Sequence, residues 1–170
     1  MQVSIRKFVK DDIPYKLSWI NDSRNNMYLH YDLPLEYAPT LAWLERNRGN
    51  SSRYDGVIEV NGVPVGLIGL LDIDTRFSKA EFYIVIGDIR FRGRGVAIEA
   101  TRIMLDIAFR EFALNKIYLF TEIDNKGAQA LFVKVGFRFE GLLRQDAILH
   151  GHFSDRYVMS ILRQEFQKES

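Results

Sequence analysis

Two glycines one residue apart, Gly93 and Gly95, sit among Arg90, Arg92 and Arg94, between an apolar run over 82–86 and a helical pattern that begins at Val96. No other feature constrains the fold as much. A helix that opens on a glycine-rich turn leaves its first N–H groups without intrachain partners, all pointing out of the N-terminus. Such an end carries roughly half a positive charge and suits a phosphate or pyrophosphate. An ordinary strand-to-helix turn explains the glycines equally well when they are taken alone, so the rest of the chain has to decide.

Length and charge narrow the choice. The 170 residues fit one domain, 1–170, with bulk enough for a sizeable core. Lys and Arg number 23 against 22 Asp and Glu, which argues against a general nucleic-acid or membrane-surface binder. The chain has no cysteine, which excludes disulfides, thiolate metal sites and cysteine nucleophiles. The first residues lack an apolar signal core, and no run approaches the length of a membrane span, so a soluble, cytoplasmic protein is expected.

Periodicity sets out the elements. Alternation over 2–8 predicts a strand, and Asp11 or Asp12 can cap a helix carrying Leu17, Trp19 and Ile20. The polar-aromatic stretch 24–34 reads as a loop and 40–47 as a second helix. Asn61-Gly62 between the apolar runs 57–60 and 63–72 is a two-residue hairpin signal. A strand over 80–87 leads into the longest helix, 96–113, whose apolar face includes Ile98, Met104, Leu105, Ala108 and Phe112. Then come a strand over 116–123, a short helix over 125–135 stopped by Gly136, strands over 137–141 and 146–149, a turn at His150-Gly151 and a last strand over 156–162. This order predicts an α/β fold with a mixed sheet rather than a repeating βαβ wheel.

Among phosphate-binding motifs, a dinucleotide fold needs a third glycine where this chain has Ile98, and the ATPase loop needs a Gly-Lys-Ser/Thr that does not occur. Arg92-Gly93-Arg94-Gly95-Val96-Ala97 instead resembles Arg/Gln-x-x-Gly-x-Gly/Ala, the pyrophosphate-binding motif of the GNAT superfamily of acyl-CoA-dependent N-acetyltransferases. A second block supports this. Asn125, Ala128, Leu131, Phe132, Lys134, Gly136 and Phe137 are similar to the family's Asn-x-x-Ala-x-x-Leu-Tyr/Phe-x-Lys-x-Gly-Phe segment, 33 residues after Arg92. The resemblance covers effectively the whole chain. Trp19, Asn21, Asp22 and Trp43 resemble the branch that holds ribosomal-protein N-terminal, amino-sugar and polyamine acetyltransferases.

The resemblance implies a single-domain fold whose central sheet splays in the middle and carries helices on both faces. Acetyl-CoA would lie in the gap, with no metal needed. It implies that backbone groups of Ile84, Val85 and Ile86 pair with the pantetheine arm. The amides of Arg92, Gly93, Arg94, Gly95, Val96 and Ala97 would cradle the pyrophosphate, with arginine side chains adding charge-assisted contacts. Asn125 and Phe132 belong to the same cofactor wall. Glu81 matches the family's glutamate that takes a proton from the attacking amine, directly or through water. A strand N–H near Val85 would hold the oxyanion. Where many relatives carry a general-acid tyrosine, this chain has Phe132, so that role passes to Tyr83, Tyr118 or water, or lapses.

The acceptor site of such a fold would draw on Asn21, Tyr28, His30, Tyr31 and Tyr83, with Arg144, His150 and His152 from the late strands. This polar-aromatic set suits a small amine such as an amino-sugar nucleotide. A peptide N-terminus and a non-catalytic CoA-binding module are the alternatives. A small acceptor predicts a closed pocket lined by Tyr28, His30 and Tyr31, and a peptide predicts a shallow groove. The three scattered histidines read as surface or core residues rather than metal ligands, Trp19 and Trp43 read as core, and the resemblance allows a homodimer through the late strands.

Overall fold

The computed structural model describes residues 1–168. Strand β1 (Val3–Lys7) pairs antiparallel with β2 (Tyr54–Val60), and β2 turns through Asn61 and Gly62 into β3 (Val63–Asp74). Both turn residues take positive φ, 50° and 79°, as a type I′ hairpin turn requires. β3 pairs antiparallel with β4 (Lys79–Ile86). Next comes β5 (Lys116–Glu122), parallel to β4, followed in space by β7 (His152–Leu162) and at the edge by β6 (Arg138–Leu149). The two short late strands expected at 137–141 and 146–149 are one strand. β6 runs through register irregularities after Phe139 and Leu143 and returns through His150-Gly151, both at positive φ.

Helices cover both faces. α1 (Ile13–Asn21) and α2 (Tyr37–Arg46) pack Ile13, Trp19 and Ile20 with Val57, Leu67 and Val85 on one side. α3 (Val96–Asp106) and α4 (Lys126–Val135) bury Val96, Ala100, Met104, Leu105, Phe132 and Val135 against Ile68, Phe82, Ile117 and Leu119 on the other. A short α5 (Arg163–Lys168) follows β7 and brings Phe166 to Phe109. Burial of these two apolar layers supplies most of the driving force for folding.

Several local expectations give way to tertiary contacts. Asp12 precedes α1, yet its carboxylate accepts the N–H of Val9 (2.9 Å) and both arms of Arg6 (2.7 and 2.8 Å) rather than the helix amides. Pro14 in the first turn needs no such donor partner. The helix expected over 96–113 is α-helical to Asp106 and widens into a π turn over Ile107–Glu111. Trp43 is half-buried and lies 3.6 Å from the ammonium of Lys16, which is itself buried. Burial lowers the pKa of Lys16 to about 8.

Gly87 marks where β4 leaves the sheet: a Cβ there would stand 2.1 Å from Cγ of Trp19, which is buried. Gly87→Ala is therefore expected to destabilise the protein by about 2–3 kcal/mol, read as a lower denaturant midpoint with unchanged slope. An unchanged midpoint would mean that Trp19 moves aside freely.

Candidate active site

β4 and β5 start as a regular parallel pair, Lys79 beside Lys116, Ala80 beside Ile117 and Glu81 beside Tyr118, and then part. Each keeps its outer neighbour. β4 stays paired with β3 as far as Ile86, and β5 with β7 as far as Glu122. The parting therefore strips backbone partners only from the two inner edges. Gly87 donates to Val65 (2.9 Å), which fixes the alternation along β4. Odd residues point their N–H and C=O to β3, and even residues point theirs to the gap. Ile84 thus offers both backbone groups to the gap, and Ile86 offers its N–H.

This corrects the expectation for Val85. A Cβ added to Gly66 on β3 would meet the Val85 carbonyl oxygen at 2.3 Å, and the Val85 side chain is buried with Trp19 and Leu67. Neither backbone group of Val85 is available to a ligand in the gap.

A cavity of about 830 Å³ follows the gap. Its walls include Glu81 and Ile84 of β4, Phe120 and Glu122 of β5, and Asn125 and Phe132 from α4 and its start. One end is the turn Gly93–Gly95, with φ of 69° and 81° at the two glycines, conformations that glycine adopts without strain. The first backbone bond into this turn runs from Glu99 N to Gly95 O, and the amides of residues 93–97 donate to no protein group among the described residues. Five amides at a helix N-terminus, beside a strand edge with unmet backbone groups, fit a pyrophosphate joined to an amide-bearing arm. Among the described residues, no group of three or more metal-ligating side chains is present.

The arginines divide. Arg90 folds back on Asp88 (2.7 Å). Arg92, expected near the diphosphate, sends its guanidinium the other way, to the carbonyls of Ile86 (3.2 Å) and Arg24 (3.1 Å) and to the amide oxygen of Asn25. Asn25 is buried and donates to the carbonyls of Trp19 (2.8 Å) and Gly87 (2.9 Å). Only Arg94 of the three has no side-chain partner among the described residues. Asn125 caps α4 by accepting the N–H of Ala128 (3.2 Å) while facing the cavity. Phe132 is packed edge-on to Phe82 (6.0 Å between centroids).

On the acceptor side, Glu81 is half-buried and has no ion-pair partner among the described residues. Burial, and then the neighbouring Asp72 carboxylate, raise its pKa above the ordinary range, with Arg156 opposing. The segment between α1 and α2 is stitched to the end of β5 and to the β6–β7 turn. Tyr28 donates to the carbonyl of Asp124 (3.2 Å), Nε2 of His30 lies 2.6 Å from Glu122, and Nε2 of His150 lies 2.9 Å from the carbonyl of Met27. Tyr28, His30 and Glu81 line one cavity, and Tyr31 is not among its lining residues.

Other expected acceptor residues are engaged elsewhere. The side chain of Asn21 bridges both backbone groups of Leu35 (2.9 and 2.7 Å). Tyr31 packs into the α1–α2 core beside Lys16. Tyr83 reaches the cavity edge but donates its hydroxyl to Asp55 (2.7 Å), and burial holds that phenol well above its ordinary pKa, which makes it a poor proton donor. Glu122 and Asp55 have roles in the site that the sequence does not announce. Buried carboxylates carry no periodic signal.

A splayed parallel pair, a glycine-turn anion cradle and a half-buried carboxylate on the gap define an acyl-CoA-dependent acyltransferase. Comparison with known proteins agrees. The family model described as an acetyltransferase (GNAT) domain matches residues 2–138, and the chain belongs to that family. It is an acetyltransferase that uses acetyl-CoA. It is similar to the spermidine N(1)-acetyltransferase of Escherichia coli strain K12, 26% identical over 168 residues, covering 98% of this chain and 89% of that one. A spermidine N(1)-acetyltransferase of Vibrio cholerae is 28% identical, over 99% of this chain and 98% of its own. The fold also matches a crystal structure of the Vibrio cholerae spermidine N-acetyltransferase in complex with CoA and spermine, with a TM-score of 0.91, 25% identity and 98% of each chain covered. These relatives are polyamine enzymes, one of the three kinds in the branch that Trp19, Asn21, Asp22 and Trp43 resemble, rather than specifically ribosomal-protein or amino-sugar ones.

Arg92→Ala leaves the buried Asn25 oxygen without its donor, so it is expected to cost about 1–2 kcal/mol of stability. Arg94→Ala leaves stability unchanged. Thermal denaturation of the two variants side by side checks this.

Proposed function

We propose that the chain acetylates the primary amine of a small polar metabolite. The observation that carries this reading is the stitching of the α1–α2 segment across the cavity by Tyr28, His30 and His150, which narrows the acceptor side and disfavours an extended peptide.

In this reading the pantetheine arm pairs with Ile84 and Ile86, and the pyrophosphate lies on the amides of 93–97 with Arg94 nearby. Glu81 accepts a proton from the ammonium, directly or through one water, and the neutral nitrogen attacks the thioester carbonyl carbon. The N–H of Ile84 holds the developing oxyanion in place of the expected Val85. Collapse expels CoA as thiolate, and the surplus proton on nitrogen leaves toward solvent. A thiol pKa near 8.5 makes this departure tolerable without the tyrosine absent at Phe132.

Polyamines are one acceptor class, supported by the spermidine acetyltransferases that resemble the chain along its whole length. An amino-sugar nucleotide is the second acceptor class: of the two carboxylates lining the cavity, Glu122 is engaged by His30 and Ser154, which leaves Glu81, with the Asp72 carboxylate nearby, to meet the ammonium. Exposed Phe139, Leu142, Ile148 and Phe153 on the β6–β7 edge support the homodimer implied by the family.

Two measurements test the reading. Release of free thiol from acetyl-CoA over a panel of polyamines, amino sugars and their nucleotides, amino acids and N-terminal peptides is expected to show turnover with a small amine and none with peptides. Preferred turnover of a peptide would overturn it. Glu81→Gln is expected to lower kcat/KM by about 100-fold. It should also remove the acidic limb of the pH profile, which in the native enzyme lies above the ordinary carboxylate range because Glu81 titrates high. A raised folded-state pKa means that stability from this group falls as pH rises through that window. The Gln variant should therefore melt no lower than the parent at neutral pH.

A further inference from the structure

Glu122 is the most buried carboxylate facing the acceptor side, and the transfer chemistry above makes no use of it. It ends β5, on the face it shares with Glu81 and Tyr83 of β4, and it is only 4% exposed. Its two oxygens are taken from two different elements: Oε1 lies 2.6 Å from Nε2 of His30 on the α1–α2 segment, and Oε2 accepts the hydroxyl of Ser154 on β7. Its backbone carbonyl accepts Nε2 of Gln129 (3.0 Å) from α4, the helix that carries Phe132. One residue thus joins the acceptor segment, the late strands and the cofactor-side helix.

The second nitrogen of His30 bears on the charge state. Nδ1 lies 3.3 Å from the carbonyl oxygen of Ile148, which can only accept. Against an ionised Glu122 carboxylate, a neutral imidazole with its single N–H can serve only one of these two partners, whereas an imidazolium serves both. Neighbouring charges are matched elsewhere: Arg156 pairs with Asp146 (2.6 Å), and Asp155 takes the N–H of Gln145 (2.6 Å). His150, at the β6–β7 turn, faces the carbonyl of Met27 rather than Glu122, and neighbouring His152 makes no bond to Glu122 among the described residues. Ser154 donates to the carboxylate and not to the imidazole, so the trio is not an activated nucleophile.

We propose that His30, Glu122 and Ser154 form a charged latch that closes the α1–α2 segment over the acceptor, with His30 doubly protonated and Glu122 its buried counterion. His30 and Glu122 are then positioning residues that set acceptor affinity. This rests on the narrowed acceptor site proposed above, but the protonation state can be measured without any acceptor. Opening the latch exposes the acceptor pocket without disturbing the amides of 93–97, so its loss falls on the amine and not on acetyl-CoA.

The test pairs a spectroscopic and a kinetic readout on the full-length enzyme. Long-range proton–nitrogen correlation at neutral pH should show both ring nitrogens of His30 protonated in the native protein. In Glu122→Gln only Nδ1 should carry a proton, because the amide can donate to a neutral Nε2. A single proton on His30 in the native protein would overturn the charged latch whatever the acceptor proves to be. With the panel amine that turns over fastest, His30→Ala should raise KM for the amine about tenfold, while kcat and the acetyl-CoA dissociation constant stay within about threefold. Glu122→Gln, which keeps the hydrogen bonds, should raise the amine KM far less. A joint fall of kcat and acetyl-CoA affinity with unchanged amine KM would contradict the proposal.

Discussion

The parting of β4 from β5 after three residue pairs is the constraint on which the rest depends. A parallel pair inside a sheet normally closes every backbone bond, and leaving such groups unmet in an apolar interior is costly. Here the cost is confined to two inner edges, because β3 and β7 hold the outer edges of the same strands to their ends. The resulting slot has strand-like donors and acceptors on one side and helix-end amides at its mouth. A molecule with amides along its length and a diphosphate at one end meets both.

The same parting determines what the other elements must do. A gap would let the sheet flex, and the surrounding bonds work against that. Arg92 ties the end of β4 to the α1–α2 segment through Asn25, Arg24 and Ile86, and Gln129 ties α4 to the end of β5. The motif arginine therefore acts as a structural strut between the cofactor turn and the acceptor segment.

Much of this was legible in the sequence, for physical reasons. The glycine turn, the second motif block and the Asn-Gly hairpin each need a particular backbone conformation, and few residue types supply it, so their positions are readable. Apolar periodicity placed α3, α4 and the strands. What sequence could not supply was the direction of polar side chains. Asn21, Arg92 and Tyr83 have the composition of ligand contacts, yet each is committed to a neighbour distant in sequence: Leu35, Asn25 and Asp55. The role of Val85 failed on parity, since a one-residue step along a strand reverses the direction of its amide. Glu122 went unnoticed because its partners lie 92 and 32 residues away.

The central claim is that acetyl-CoA completes the broken strand edge. Amide hydrogen exchange with and without saturating acetyl-CoA tests it most directly. The account predicts new protection at Ile84 and Ile86 and across residues 93–97, with Val85 protected equally in both states by its bond to β3. Binding that leaves Ile84 and the 93–97 turn exchanging as in the free protein would contradict it.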